Sequence, residues 1–345
     1  MQKTSWAVLS LVFAVALATL AASPAPQGSG YHLLKKLTLG GEGGWDYLSA
    51  DPGSHRLFIS RATHIMVVDA DGAVVGDIPN LQGTHGAQIV PEFNRGFSSN
   101  GRSNSVTIFD LKTLAPINEV KLPAADGPDG FLYDPASKNV FVFNARSHDA
   151  TAVNAKTGEV GGTVPLGGKP EAAAADGAGH VWVNIEDKAQ LVEFDSKDYK
   201  VLNTWPLATC EEPTGMAIDP AHKRLFIGCH SKVMLVTDYA GKVVASVPIG
   251  QGVDAASFDP ATAFVFASCG DGTITVAHED SPDKYTVVEN ISTQRGARTM
   301  ALDTANHRVF TVTSDLGPPP AATADNPNPR PSLVPGTFTL LIYGR

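Results

Sequence analysis

The stretch that decides the fold is residues 213–248, which read PTGMAIDPAHKRLFIGCHSKVMLVTDYAGKVVASVP. It contains four short runs rich in apolar residues, MAI, RLFIG, VMLVTDY and VVASVP, and the turns between them carry Asp-Pro, Gly or Lys. Such runs predict four short β-strands joined by tight turns. One antiparallel sheet of this size cannot hide both of its faces from water, so it requires further copies beside it.

The rest of the chain supplies these copies. The turn before the second strand of each copy starts at an anchor position that recurs every 39 to 44 residues. The anchors are Asp51, Val90, Asp134, Asp176, Asp219, Asp259 and Asp303. Four strands in a repeat of this length predict an all-β fold, a seven-bladed β-propeller with four antiparallel strands per blade.

The seventh repeat reaches the end of the chain before it can form a fourth strand. Residues 33–39 (LLKKLTL), which precede the first repeat, have the fourth-strand pattern. We expect this N-terminal strand to pair with residues 338–344, because such closure removes exposed sheet edges. The predicted propeller therefore spans residues 31–345.

The first 22 residues resemble a signal peptide rather than part of a blade. Lys3 precedes an apolar run at residues 7–17, and small residues suitable for cleavage follow. Because this run is shorter than the ~20 residues of a typical membrane span, we expect no span in the mature chain. Residues 23–30 (SPAPQGSG) are interpreted as a flexible leader. The predicted location is the periplasm or the extracellular medium.

The charge of the chain bears on its partners. The formal net charge is −9, and removal of Lys3 with the signal peptide makes it −10. An acidic surface repels phosphate chains, which disfavours nucleic-acid binding. We expect a monomer whose partner is a small ligand or a periplasmic protein.

The chain has three cysteines, Cys210, Cys229 and Cys269. Cys210 precedes the fifth blade and Cys229 ends its second strand, so both are predicted on one face, and a Cys210–Cys229 disulfide is favoured. Cys229 and Cys269 occupy equivalent positions in neighbouring blades, which are expected to lie farther apart than the ~4.4–6.8 Å between the Cα atoms of a disulfide. Three buried free thiols are the alternative.

Candidate functional residues lie at the face where the innermost strands begin, here called the upper face. Five residues before each anchor, every blade places a side chain in the same register. These positions hold Asp46, His85, Asp129, Glu171, Thr214, Asp254 and Arg298. The residues beside them in the inner strands are mostly small or apolar, so the polar ring is a property of the position.

The polar ring has more than one interpretation. Asp46, His85, Asp129 and Glu171 are predicted to converge on a divalent metal, because carboxylate oxygens with one imidazole suit Ca²⁺, Mn²⁺ or Zn²⁺. In a second interpretation the ring is solvated, with Arg298 ion-paired to both Asp254 and Asp46. In a third, Arg298 holds an organic anion.

The loops after the second strands add further candidates. Arg102, Arg146 and His148 belong to the adjacent second and third blades and are predicted to form a positive patch that suits a carboxylate or zwitterionic ligand. Solvated loop charges are the alternative. The full predicted ligand-binding set is Arg102, Arg146, His148, His230, Asp254 and Arg298.

A proline-rich insertion at residues 316–335 separates the second and third strands of the last blade. It leaves from the upper face, so it is predicted either to lie across the channel mouth or to reach a partner. A disordered excursion is the alternative.

The Asp-Pro turn followed by Arg-Leu-Phe-Ile, at residues 51–59 and 219–227, and the final segment PGTFTLLIYGR (residues 335–345) resemble the YncE/YVTN-type propeller proteins. The resemblance covers roughly residues 31–345 and implies a secreted or periplasmic propeller. For some members it implies nucleic-acid binding, and for others a place beside metal or quinone redox systems.

We therefore expect an exported, non-catalytic propeller that binds a ligand or a partner through its upper face. The sequence contains no Gly-x-Ser-x-Gly, His-Glu-x-x-His, Cys-x-x-Cys-His or phosphate-loop motif. A metal-dependent hydrolase of the lactonase type, with a metal at the channel mouth that activates water, is the alternative enzyme. Nucleic-acid binding is the third hypothesis.

Overall fold

The computed structural model describes residues 28–323, 329 and 331–345. The predicted signal peptide (residues 1–22) and most of the predicted leader (residues 23–30) lie outside them. The described part of the chain forms seven four-stranded antiparallel sheets arranged as the blades of a β-propeller. The fold predicted from the repeat is confirmed.

Within each blade the strands run from the channel outward. The innermost strands are β2 (Leu48–Asp51), β6 (Thr84–Val90), β10 (Pro128–Asp134), β14 (Pro170–Ala175), β18 (Pro213–Asp219), β22 (Val253–Asp259) and β26 (Met300–Asp303). The second strands are β3 (Arg56–Ser60), β7 (Arg95–Asn100), β11 (Asn139–Asn144), β15 (His180–Ile185), β19 (Arg224–Cys229), β23 (Phe264–Cys269) and β27 (Arg308–Thr313).

The two outer strands of each blade follow. The third strands are β4 (Ile65–Val68), β8 (Ser105–Asp110), β12 (Asp149–Asn154), β16 (Gln190–Asp195), β20 (Val233–Asp238), β24 (Thr273–Ser281) and β28 (Thr339–Gly344). The outermost strands are β5 (Val74–Ile78), β9 (Pro116–Lys121), β13 (Val160–Pro165), β17 (Lys200–Pro206), β21 (Val243–Pro248), β25 (Lys284–Ser292) and, in the seventh blade, β1 (His32–Thr38). Helical structure in the described residues is confined to two 3₁₀ turns, Pro91–Phe93 and Glu186–Lys188, and no helix there is long and apolar enough to cross a membrane.

The N-terminal strand closes the ring. β1 pairs antiparallel with β28, from His32 opposite Gly344 to Thr38 opposite Thr339. The connection extends into the predicted leader, because Ser29 is buried and donates hydrogen bonds to the carboxylate of Glu289 in the sixth blade. The first residues that the structure describes are therefore joined to both of the last two blades.

The core lies between the blades. An aromatic side chain stands near the middle of every second strand, and each of these is buried: Phe58, Phe97, Phe141, Trp182, Phe226, Phe266 and Phe310. Apolar side chains of neighbouring sheets pack on them in clusters, each spanning adjacent blades. The repeat predicts this layer because the middle of a second strand faces a neighbouring blade at every turn of the ring.

The base of the proline-rich insertion is ordered by backbone pairing. Gly317 donates to the carbonyl of Ser332 and Val334 donates to the carbonyl of Asp315, at 2.8 and 2.9 Å. Leu316 and Leu333 form a bridge there and remain exposed on the upper face. The two ends of the insertion thus run side by side, joined by backbone hydrogen bonds, where they leave the propeller.

In the structure Cys210 and Cys229 are joined by a disulfide with 5.1 Å between their Cα atoms, and Cys269 is a buried free thiol. The bridge ties the loop before the fifth blade to the end of β19. It closes a loop with a sequence separation of 19 residues. A loop of this size restricts the unfolded chain enough to contribute about 3 kcal/mol to stability.

Replacing Cys210 and Cys229 together by alanine is accordingly expected to lower the free energy of unfolding by about 3 kcal/mol. Urea denaturation with and without a thiol reductant measures the effect. The reductant should destabilise the wild-type protein and the Cys269→Ala control equally, and leave the double variant unchanged. A wild-type protein indifferent to reductant would argue against the bridge.

Candidate functional site

The upper face brings three of the polar ring residues into contact. His85 lies between two carboxylates, with its Nδ1 atom 2.7 Å from Oδ2 of Asp46 and 3.2 Å from Oδ1 of Asp129. One donor atom from each residue lies within 4.8 Å of the others. The repeat explains this contact, because the three residues occupy the same register in the first, second and third blades.

The backbone fixes the position of Asp46. Its amide N–H donates to the hydroxyl of Ser60 at 2.8 Å, and the next amide, that of Tyr47, donates to the carbonyl of His85 at 2.9 Å. The second bond joins the first and second blades directly. Asp46 therefore lies beside His85, and of the two ion pairs predicted for Arg298 the structure forms the one with Asp254.

The charges of this cluster shift its protonation. Burial lowers the pKa of His85, but the hydrogen bond to Asp46 and the negative charges of Asp129, Asp46 and Glu171 outweigh it, so the net shift is upward. Burial raises the pKa of Asp129 to about 6, against the opposing effect of His85. The cluster thus favours positive charge at its centre, and the surrounding carboxylates favour the protonated form of His85.

Glu171 stands beside this cluster but in a separate set of contacts. The hydroxyl of Tyr47 donates to its Oε1 atom at 3.1 Å, and the ammonium of Lys169 is 3.7 Å from Oε2. Lys169 also forms an ion pair with Glu186. Of the four predicted metal ligands, the structure groups Asp46, His85 and Asp129, and places Glu171 with Tyr47 and Lys169.

Glu171 is largely buried, and its environment favours the neutral acid. Burial and then the charge of Asp129 raise the pKa of Glu171 to about 8, although Lys169 acts in the opposite direction. Burial, followed by the charges of Glu171 and Asp129, also raises the pKa of Tyr47 well above its usual value. At neutral pH this part of the mouth holds a proton that an incoming cation can displace.

Tyr47 lies across the channel because its neighbours are small. A side-chain carbon on Gly86 would meet Cβ of Tyr47 at 2.7 Å, and one on Gly130 would lie 3.3 Å from the Tyr47 hydroxyl. Behind it lies a cavity of about 280 Å³ lined by Tyr47, Phe131, Glu171, Met216 and Asp254, among others. The phenol thus reaches from the first blade to Glu171 of the fourth blade, at the mouth of this cavity.

A second cavity, of about 320 Å³, opens on the upper face beside His85. Asp46, His85, Arg102 and Arg146 line it. The guanidinium of Arg146 is ion-paired to Asp126 at 2.8 Å, and Arg102 is exposed at the rim. This cavity has the acidic cluster at its base and two arginines at its edge.

The other predicted ligand residues lie elsewhere on the upper face. Arg298 donates to Asp254 at 3.0 Å. His230 contacts Glu212 at 2.5 Å and the carbonyl of Val253 at 3.2 Å. The predicted set therefore divides into the pair Arg102 and Arg146 at the second cavity, the pair Arg298 and Asp254, and His230. His148 is exposed on the third blade.

Sequence reasoning missed Tyr47 and Lys169. A signal for Tyr47 was present, because the position after the polar ring is small in most blades: Gly86, Gly130, Ala172, Gly215 and Ala255. A tyrosine among glycines and alanines is a candidate for the channel itself. Lys169 gives no comparable signal, since a lysine before a strand is ordinary in a loop.

Comparison with known proteins establishes the fold. No protein-family model matches the sequence, so the YncE/YVTN-type resemblance has no support from a family match. No curated protein matches it either.

Solved structures do match. A chain from the "Crystal Structure of Mitotic Checkpoint Complex" superposes with a TM-score of 0.74 at 14% identity, over 97% of this chain and 99% of that one. A chain of the Kuenenia stuttgartiensis hydrazine synthase gives a TM-score of 0.66 at 15% identity, over 78% and 92%. At such identities the likeness is one of fold, and the chemistry has to be argued from the site.

Proposed function

We propose that this protein is an exported, non-catalytic binding propeller whose channel mouth holds a small cationic ligand, with a divalent metal ion as the first candidate. The observation that carries the proposal is the contact of His85 with Asp46 and Asp129 at 2.7 and 3.2 Å, next to the largely buried Glu171. Burial keeps the carboxyl groups of Asp129 and Glu171 partly protonated. A cation that displaces these protons interacts with two fully ionised carboxylates.

The donor set fits a divalent ion. Two carboxylates and an imidazole, each offering one atom within 4.8 Å of the others, match the mixed oxygen and nitrogen ligands of Mn²⁺ and Zn²⁺. Asp46, His85 and Asp129 would hold the ion, and Glu171 would contribute charge from the side. The two arginines at the rim of the second cavity, Arg102 and Arg146, could bind an anionic group of a ligand that also carries the cation.

The fold is consistent with a scaffold for partners as well. One structural neighbour was solved within a complex, the mitotic checkpoint complex, at 14% identity. A protein that presents a lysine or a bound cation to this mouth is the kind of partner that the charge pattern favours.

Equilibrium dialysis against Ca²⁺, Mn²⁺, Zn²⁺ and putrescine at pH 8 tests the proposal, with metal analysis after prior treatment with a chelator. We expect at least one cation to bind stoichiometrically, and Asp129→Asn to weaken it at least tenfold. Asp271→Asn removes an exposed carboxylate from the same face and should leave the affinity unchanged. Absence of binding by all four probes would contradict the proposal.

A metal-dependent hydrolase is the second candidate. A divalent ion supplies an activated water and polarises a carbonyl, and Glu171, with a pKa of about 8, is in the range of a general acid or base. A screen of lactones with the metal-loaded protein separates the two functions. Turnover that disappears in Glu171→Gln while the metal stays bound would favour the hydrolase.

A further inference from the structure

The opposite, lower face carries a repeated arrangement around the anchor aspartates. The third residue after an anchor contacts that anchor in several blades: Ser54 reaches Asp51 at 2.5 Å, and Thr262 reaches Asp259 at 2.9 Å. In the fifth blade this position is His222, whose Nδ1 atom lies 2.6 Å from Oδ2 of Asp219. Each of these contacts stabilises the turn between the two inner strands of a blade.

Neighbouring blades supply a second partner to the anchor. The hydroxyl of Ser196, one residue beyond β16, donates to Asp134 of the preceding blade at 2.6 Å. At other junctions a histidine takes this role, as where His307 contacts Asp259 at 2.7 Å. In these cases a buried carboxylate meets a hydroxyl or an imidazole nitrogen of the neighbouring blade.

The junction of the fifth and sixth blades departs from this pattern. Glu279 of β24 occupies the register of Ser196, where the other blades have Ala70, Leu111, Ala155, Tyr239 and Arg345. Its carboxylate meets the anchor of the preceding blade, which is Asp219. Glu279 exposes 6% of its surface and Asp219 2%, so two buried carboxyl groups lie side by side.

The donors around this pair are too few. Oε1 of Glu279 receives the Tyr285 hydroxyl at 3.3 Å and lies 3.1 Å from His222. Oε2 is buried and has no hydrogen-bond partner among the residues that the structure describes. The nearby guanidinium of Arg224 is occupied by the carbonyl of Pro282 and by Asp283.

We propose that Asp219, His222 and Glu279 form a second metal site, for a divalent ion of the zinc class, at the lower face between the fifth and sixth blades. Their donor atoms lie within 4.8 Å of one another, with two carboxylate oxygens and one imidazole nitrogen. The ion provides the unpartnered Oε2 atom of Glu279 with a cation to coordinate, and it neutralises the negative charge of the carboxyl pair. Because the His222 side chain is half exposed, the remaining coordination positions are open to water.

Zinc-edge anomalous diffraction from crystals of the full protein soaked in ZnCl₂ locates the ion directly. We expect an anomalous peak about 2.0–2.2 Å from the His222 imidazole and from both carboxylates. In calorimetric titrations with ZnCl₂, His222→Ser should weaken this site at least tenfold. The serine keeps the fold, since it is the residue that the first blade has at this position, Ser54.

Two further variants separate this site from the channel mouth. His55→Asn changes a histidine of the same face whose polar partner among the described residues is Asp303, and it should leave zinc binding intact. His85→Gln should remove binding at the mouth and leave the lower-face site unchanged, so that each proposal fails or stands separately. The absence of an anomalous peak at the lower face, or zinc binding unaltered by His222→Ser, would overturn the second site. The carboxyl groups of Asp219 and Glu279 would then share a proton instead of an ion.

Discussion

A chain that begins at Gly41 is expected to lose its single cooperative unfolding transition. The truncation removes β1 and leaves β28, whose six residues are all buried, as an open sheet edge. It also removes Tyr31, which is buried against Phe266 with 5.1 Å between the ring centroids. Burial of one such side chain contributes about 1.5–3 kcal/mol, before the lost strand pairing is counted.

Thermal unfolding followed by circular dichroism, with size-exclusion chromatography, measures this effect. The matched control begins at Gly41 and carries residues 28–40 after Arg345 through a glycine-rich linker. Because His32 pairs with Gly344, the transplanted strand can form a hairpin with β28 and should restore the transition. Wild-type cooperativity in the truncated chain would show that the first strand does not close the ring.

The second large effect is expected from Glu171→Gln, as a change in the pH dependence of stability. The folded protein raises the pKa of Glu171 to about 8 from an ordinary value of 4.5. Between these values the folded state binds more protons than the unfolded state, so the contribution of Glu171 to stability falls as the pH rises from about 4.5 to 8. At 1.36 kcal/mol per pKa unit the full loss is roughly 5 kcal/mol.

Glutamine cannot ionise and still accepts the hydrogen bond from Tyr47. The variant should therefore match the wild type at pH 4 and exceed its free energy of unfolding by a few kcal/mol at pH 9. Urea denaturation across this range measures the difference, and Glu211→Gln, an exposed glutamate of the same face, is the control. Parallel pH profiles for wild type and Glu171→Gln would contradict the assignment of a buried neutral acid.

The prediction for Glu171 also links stability to function. An ionised Glu171 destabilises the folded protein, and a bound cation would offset that cost. A residue that weakens the fold at neutral pH and has one phenol and one ammonium as close partners is more readily explained by a ligand than by folding.

The sequence predicted the fold because the repeat constrains it seven times over. The anchor is an aspartate in six of the seven blades, and every second strand carries an aromatic residue near its middle. Sheet closure required the pairing of residues 33–39 with the C-terminal strand. The same register brought Asp46, His85 and Asp129 together. The features that the backbone register of the repeat determines, namely strand pairing and the neighbours within the polar ring, were therefore predictable.

Contacts that depend on side-chain reach were not predictable. Arg298 pairs with Asp254, whereas Asp46 contacts His85. There the Tyr47 amide also donates to the carbonyl of His85 and joins the first two blades. Glu279 reads in the sequence as an ordinary charge at the end of a strand. Its burial follows from β24 and β25 being longer than the corresponding strands of other blades, which carries the hairpin past the lower face.

The cation site at the channel mouth is tested most directly by calorimetric titration with MnCl₂ at pH 7 in two buffers of different ionisation enthalpy. The His222→Ser variant serves as the protein, so that the lower-face site does not contribute. We predict saturable binding of one ion with release of protons, since the pKa of about 8 leaves Glu171 mostly protonated at that pH and the surrounding carboxylates raise the pKa of His85. No saturable binding, or binding without proton release, would contradict a cation held by these residues.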